Sequence, residues 1–305
     1  MIARVARPAE GAGPALPGTE VRAEHLLGLR RHLRSGVGGR WHPDLRPAGF
    51  PGRRRGAGLE TIDVRPFVEG DDVRHLDRNV TARTGVPHVR SFREERGATV
   101  LLIADFRAPM LWGTRRTLRS VAAAEALALG GWRGLEADGR VGMLATAAGA
   151  TSYVPPRGRL SGMAAVAGGL AEAHAAALAA AASTLAEPTL DRLLETALGL
   201  APRGSSLVLA SALDDPGPEF EALAGSLGRA GRLKLLLVRD AFELAPPRGA
   251  YAYATPAGGR HAGWAEPAAD RLDELRRLGI PAMGVDVRDD GDALARAWDR
   301  FDGWR

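Results

Sequence analysis

The sequence predicts an α/β protein: a doubly wound, mostly parallel sheet with helices on both faces, preceded by a charged N-terminal extended segment. Three observations carry this expectation. From Ala98 onward, short apolar runs alternate with longer helical ones to the end of the chain, which is the signature of a parallel-rich sheet covered on both sides. The runs ATVLLIA at 98–104, SLVLAS at 206–211 and LKLLLVR at 233–239 have the length of buried strands rather than helices. The 305 residues are 45% apolar but only 5% aromatic, so a sizeable core is available and Leu, Val and Ala must fill it.

Taken in order, residues 1–19 are rich in Pro, Gly and Ala and read as a disordered lead. Residues 20–35 place Val21, Leu26, Leu27, Leu29 and Leu33 at helical spacing. Residues 36–58 read as loop, with three consecutive arginines at 53–55. Extended segments follow at 61–67 and 88–93, separated by polar, charged sequence. The α/β part then runs strand 98–104, helix 115–137, strands 140–147 and 151–154, and helices 160–182 and 189–200. It continues with strand 206–211, helix 219–230, strand 233–239 and an edge strand at 251–255. Helix 266–278, strand 282–287 and helix 292–301 close it. The expected organisation is a lead at 1–19, a helix and charged segment at 20–96, and an α/β domain at 97–305.

Composition narrows the chemistry. Without cysteine there is no disulfide, thiolate zinc site, iron–sulfur cluster or cysteine nucleophile. No run of about 18 uninterrupted apolar residues predicts a membrane span, and the first residues lack the apolar centre of a signal peptide. A cytoplasmic location is therefore expected. The net charge of +5 is uneven: residues 1–96 hold 18 Arg against 12 acidic residues, whereas the remainder is close to neutral. A basic N-terminal third attracts nucleic acid or an acidic protein surface, although its acids are interleaved with the arginines.

Two segments concentrate the information. The first, 56–96, reads GAGLETIDVRPFVEGDDVRHLDRNVTARTGVPHVRSFREER. The adjacent carboxylates Asp71 and Asp72 suggest a paired acid site, since neighbouring carboxylates repel and raise one pKa. Arg65, Arg74 and Arg83 lie close by, however, and can clamp Asp71, Asp72 and Asp77 in bidentate pairs, with Gly70 supplying the turn. The second segment is the strand ending Asp105-Phe106-Arg107-Ala108-Pro109.

Together these resemble the prokaryotic domain-of-unknown-function 58 family, whose pattern is met at Gly56, Gly58 and Glu60, at Arg65, at Gly70, Asp71, Asp72, Arg74 and Asp77, at Ala82 and Arg83, and at Arg90 and Glu95. Arg78 stands where that family usually carries Trp. The resemblance implies a von Willebrand A-like domain, in which the first strand ends Asp-x-Ser-x-Ser and its oxygens hold a divalent cation. Here Asp105 remains, both hydroxyls are absent, and Arg107 brings a fixed positive charge to the cation's place. The further acid expected after 206–211 reads Ala212, with Asp214 and Asp215 only later, and the intermediate-loop threonine has no evident counterpart. The resemblance thus implies a degenerate metal site at Asp105, Arg107 and Asp214, with no metal and no cofactor.

No Walker-type phosphate loop and no Gly-x-Ser-x-Gly elbow is present, and Lys234, the sole lysine, lies in a strand. His25 and His32 are seven residues apart, too far to share a zinc, and the other histidines have no metal spacing. Trp298 and Phe301 read as anchors of the last helix. The expected function is a non-enzymatic protein-binding or adaptor module with no catalytic residue. The resemblance implies a MoxR-type AAA+ ATPase as protein partner, contacted through Glu60, Arg65, Gly70, Asp71, Asp72, Arg74, Asp77 and Arg83. A nucleic-acid binder using the basic third and a carboxylate-dependent enzyme remain the alternatives.

Overall fold

The structure, a computed structural model, describes residues 18–33, 61–68, 71, 73, 76–92, 98–183, 186–254, 260–264 and 271–302. The chain forms two units, residues 45–97 and residues 1–44 with 98–305. The helix expected within 20–35 therefore belongs with the α/β unit and not with the charged segment that follows it.

In the smaller unit, β1 (Thr61–Pro66) pairs antiparallel with β2 (His88–Phe92), from Thr61 opposite Phe92 to Pro66 opposite His88. Between them lies α2 (Arg78–Thr84), which the charged composition concealed. Its limits have local causes. The Asp77 carboxylate accepts from the N–H groups of Asn79 and Val80, both at 3.0 Å, satisfying donors that a helix start leaves open. Gly85, at φ 73°, ends the helix in the left-handed conformation and donates its N–H to the Thr81 carbonyl.

In the larger unit the six-stranded sheet has the order β10–β7–β6–β3–β4–β5. These strands are β3 (Thr99–Asp105), β4 (Arg140–Ala147), β5 (Ala150–Gly158), β6 (Ser206–Ser211), β7 (Leu233–Arg239) and β10 (Ala282–Asp286). All pairings are parallel except the β4–β5 hairpin. The chain moves outward from β3 to β5, then returns to β6 on the other side of β3 and continues to β7 and β10. This reversal between β3 and β6 is the place where open α/β sheets offer a crevice beyond their carboxyl ends.

Both faces are covered, which explains why β3 from Val100 onward and β6 throughout are buried rather than alternating between buried and exposed. One face carries α1 (Ala23–Gly28), α3 (Arg119–Glu136), α4 (Arg159–Ala180) and α9 (Gly291–Asp302). The other carries α5 (Leu190–Leu200), α6 (Phe220–Arg229) and α8 (Arg271–Arg277). Helix α3 is buried almost all round because it touches β3 on one side and α1, α4 and α9 on others. At Gly130 a Cβ atom would lie 2.7 Å from the Trp298 ring, so the glycine admits that indole, whose Nε1–H donates to the Ala126 carbonyl at 2.9 Å. Among the described residues α4 alone is long and apolar enough to cross a membrane by length and composition. Its Met163, Val166, Ala167 and Leu170 are buried against the sheet.

Three local differences from expectation have physical reasons. The N-terminal helix is one α turn and a half, passing into a 3-10 turn at Leu29–His32 that buries Leu29. The segment expected as an edge strand of the main sheet, β8 (Ala250–Ala254), instead pairs with β9 (Arg260–Trp264) in a hairpin of its own. The edges of the large sheet are β5, blunted by Pro155 and Pro156, and β10. A short helix, α7 (Ala241–Leu244), starts at a reciprocal cap between Asp240 and Glu243.

Candidate functional site

The carboxyl ends of β3 and β6 meet at a buried ion pair. Asp105, the last residue of β3, is 1% exposed, and Arg107 two residues on is 3% exposed. The Arg107 Nε donates to Asp105 Oδ1 at 2.9 Å and Nη2 to Oδ2 at 3.0 Å, a two-toothed pairing. The same guanidinium reaches three backbone carbonyls: Nη2 donates to Asp214 at 2.7 Å, and Nη1 to Asp215 at 3.0 Å and Pro188 at 3.4 Å. Its five N–H groups thus have five oxygen acceptors, the full complement of an arginine. Ser211, at the end of β6, donates its hydroxyl to Asp105 Oδ2 at 2.7 Å, and the Arg107 N–H adds a further bond to Oδ1.

The loop after β6 is shaped for this contact. Leu213 and Asp215 both adopt left-handed backbone conformations, at φ 61° and 45°. Such positions are strained for residues other than glycine and persist where surrounding contacts hold them. Here the carbonyls of Asp214 and Asp215 point to the guanidinium. Burial opposes the charge on Arg107, but the Asp105 hydrogen bonds and charge outweigh it and raise the pKa above the ordinary arginine value.

A second arginine lies behind the first. Arg119, 2% exposed, donates to the Pro109 carbonyl at 3.2 Å and to Asp214 Oδ2 at 3.4 Å, pairs with Glu243, and stacks 4.2 Å from the Trp112 ring centre. Asp214 thereby spans both cations, its carbonyl on Arg107 and its half-exposed carboxylate on Arg119. Partial burial pushes its carboxyl above the usual range against the pull of Arg119, and the Glu243 and Asp105 charges add to the rise.

The third wall is the loop before α5. The Asp191 carboxylate accepts from the Thr189 hydroxyl and from the N–H groups of Arg192 and Glu219. Burial would raise its pKa, but these bonds win and hold it below the usual carboxylate value. Thr189 and Asp191 so fix the loop that presents the Pro188 carbonyl, and sequence reasoning singled out neither. Their signal was local: a Thr-x-Asp pair at a helix start invites side-chain capping.

The donor set does not fit a hard divalent cation. Oxygens surround the position, but Arg107 already cancels the one buried carboxylate there. Among the described residues no group of three or more His, Asp or Glu is arranged to hold a metal ion. The structure therefore brings Asp105, Arg107 and Asp214 together, with Ser211 as the partner that the sequence did not reveal.

The charged segment is separate from this site in sequence and lies in the smaller unit. There Asp71 accepts the Val68 N–H at 3.0 Å, and Asp77 caps α2. Both of these contacts are to backbone N–H groups. Arg83 is exposed in the last turn of α2, and the backbone of Arg65 pairs with Val89 across the hairpin. Glu60, Gly70, Asp72 and Arg74 lie outside the described residues. Of the two helix histidines, His25 contacts Glu125 at 2.7 Å and His32 contacts Asp292 at 2.6 Å, so each has its own acid.

Comparison with known proteins gives the chain a family. Uncharacterized proteins Mb1516 of Mycobacterium bovis and Rv1480 of Mycobacterium tuberculosis are each 37% identical to it over 106 residues. Those residues make up 33% of this chain, and the chain spans about a third, 32%, of the length of these relatives. The crystal structure of an uncharacterized membrane spanning protein from Vibrio fischeri is 14% identical, with 68% of this chain and 98% of that one covered, at a TM-score of 0.19, too slight a likeness to bear on the fold. The family described as Protein of unknown function DUF58 matches residues 63–258, nearly two thirds of the chain, and the chain belongs to that family.

Proposed function

We propose that this protein is a non-enzymatic protein-binding module whose α/β unit is von Willebrand A-like, with its metal site replaced by an internal arginine. Its partner, on this reading, is a MoxR-type AAA+ ATPase. The observation that carries the proposal is the Arg107 guanidinium lodged at the sheet's switch point with every N–H engaged. On this reading the position that would otherwise admit a cation is filled from within. What remains for recognition on the α/β unit is the rim around it: half-buried Leu111 and Trp112 and exposed Asp214 and Asp215.

The reading makes partner binding independent of divalent metal. Affinity capture of the tagged protein from its own cell lysate, with Mg²⁺ or with chelator, is expected to recover an AAA+ ATPase in both conditions. Mixing the purified pair is expected to change ATPase turnover. Capture of no ATPase, together with unaltered turnover on mixing, would count decisively against the adaptor reading. Recovery of nucleic acid released steeply by salt would favour a binder using the basic N-terminal third instead.

A further inference from the structure

A second feature of the α/β unit lies away from the Arg107 pair. The strap 18–25 crosses the start of α3 and leaves beneath it a cavity of about 350 Å³, lined by Gly18, Glu20, Arg22, His25, Arg116, Thr117, Val121 and Glu125. That volume falls within the range of small-molecule sites, roughly 300–1,000 Å³. Gly18 makes the crossing possible. It sits at φ +85°, a Cβ there would lie 2.0 Å from the Arg116 carbonyl, and its own carbonyl accepts the Leu118 N–H at 3.0 Å.

The polar wall has a definite order. The Glu125 carboxylate is 3% exposed and takes Arg116 on both oxygens, at 3.1 and 2.5 Å, and His25 Nε2 at 2.7 Å. Burial would raise its pKa, but His25 and Arg116 outweigh that and hold it below the usual value, so it is ionised and only accepts. The His25 proton is therefore on Nε2. With three donors on one carboxylate, Glu125 serves to hold Arg116 and His25 in place. Arg116 keeps a third of its side chain exposed. Among the described residues Arg22 pairs loosely with Glu20, at 3.7 Å and with both side chains well exposed, a pair of little energetic weight. The remaining lining includes Thr117 and the apolar Val121. Asp289 is the other acid whose charge reaches Arg116.

We propose that this cavity binds a small organic anion, a carboxylate or phosphate on a compact apolar body, held by Arg22 and Arg116. Glu125 is a positioning residue that fixes Arg116 and the His25 ring. The anion displaces Glu20 from Arg22 and joins the guanidinium forks. Because the strap supplies one wall and α3 the other, the ligand ties the N-terminal strap to the α/β unit.

Calorimetric titration of the full chain at low ionic strength, with inorganic phosphate and separately with butyrate, tests this. Saturable 1:1 binding is expected for at least one probe. Arg22→Ala is expected to weaken it about tenfold, the effect of losing one charge-assisted contact, and Arg22→Lys to restore part of it. Arg22 is exposed, so the melting temperature of the unliganded variant stays unchanged. Binding of phosphate alone identifies a phosphoryl ligand, and binding of butyrate alone a carboxylate with an apolar tail. No saturable binding of either probe, or affinity that Arg22→Ala leaves untouched, overturns the assignment.

Discussion

Removing the Arg107 side chain would leave Asp105, buried and without its cation, with the Ser211 hydroxyl and the backbone N–H of residue 107 as its donors. Loss of one member of a buried pair costs about 3–5 kcal/mol, more than the pair itself contributes, because the orphaned charge remains. Arg107→Ala is therefore expected to lower the urea-unfolding free energy by that amount, and Asp105→Ala to do likewise. The double variant is expected to lose clearly less than the sum. Strict additivity in this cycle would mean that the two groups are not coupled as drawn. His174 makes a second test at this scale. It is 1% exposed, its Nδ1 accepts the Val21 N–H at 3.4 Å, and its Nε2–H donates to Ser120 at 2.9 Å, an arrangement only the neutral ring can make. Burial pushes its pKa down to about 4. The unfolded ring takes up its proton near pH 6.5, so the unfolded state binds more protons between the two values. Stability is then full above pH 6.5 and falls as the pH drops, by about 3 kcal/mol at pH 4. His174→Gln is expected to flatten that part of the stability–pH curve. An equal slope in the variant would assign the loss to other groups. The Asp105–Arg107 charge cancellation was legible because the two residues are two apart in sequence. The carbonyl acceptors were not, since their direction depends on left-handed turns at Leu213 and Asp215, which neither residue type announces.

At the scale of elements, what could be read was what periodicity encodes. Strands β3, β6 and β7 stand out because strands buried on both faces carry near-continuous apolar runs, and α3 and α4 because alanine-rich runs of that length have no other regular form. Helix α2 was hidden because its seven residues, RNVTART, bury no side chain, so no apolar stripe forms. Its real signals were the Asp77 cap and Gly85. Asp77→Ala is expected to cost about 1 kcal/mol of stability in the smaller unit, read as faster amide exchange in residues 78–84. Exchange unchanged from the parent would show that the cap does not sustain the helix. The β8–β9 hairpin was half-legible, since RHAGW carries little strand propensity and takes its form from pairing with AYAYA. The meeting of α3 with α9 is sharper. Gly130→Ala adds helix propensity worth about 1 kcal/mol but drives a methyl into the Trp298 ring. Overpacking typically costs about 1–3 kcal/mol, so the net effect is expected to be destabilising, with a shifted Trp fluorescence maximum as the indole moves. A variant more stable than the parent, with unshifted fluorescence, would mean the contact relaxes freely.

At the scale of the whole molecule, the closed switch point bears on the proposed role: if the protein binds a partner, Arg107 would hold that surface in readiness. A sheet that binds a divalent cation at its switch point has two states, loaded and empty, and couples recognition to metal supply. Arg107 removes that choice, because a covalently attached cation cannot dissociate, and its acceptors on β3, the β6–α6 loop and the loop before α5 are joined at all times. On the proposed reading, the tie that a bound cation would make between these segments is present without exchange. Two thermal measurements separate this from a residual metal site. Titration with Mg²⁺ to millimolar concentration is expected to leave the melting temperature of the parent protein unchanged, because a ligand stabilises only in proportion to its occupancy of the folded state. In Arg107→Ala, methylguanidinium at low millimolar concentration is expected to recover part of the lost stability by re-entering the oxygen-lined space, with no such effect on the parent. Saturable stabilisation of the parent by Mg²⁺ would instead require a cation site beside the arginine, with Asp214 as its natural carboxylate, and partner binding would then follow the metal.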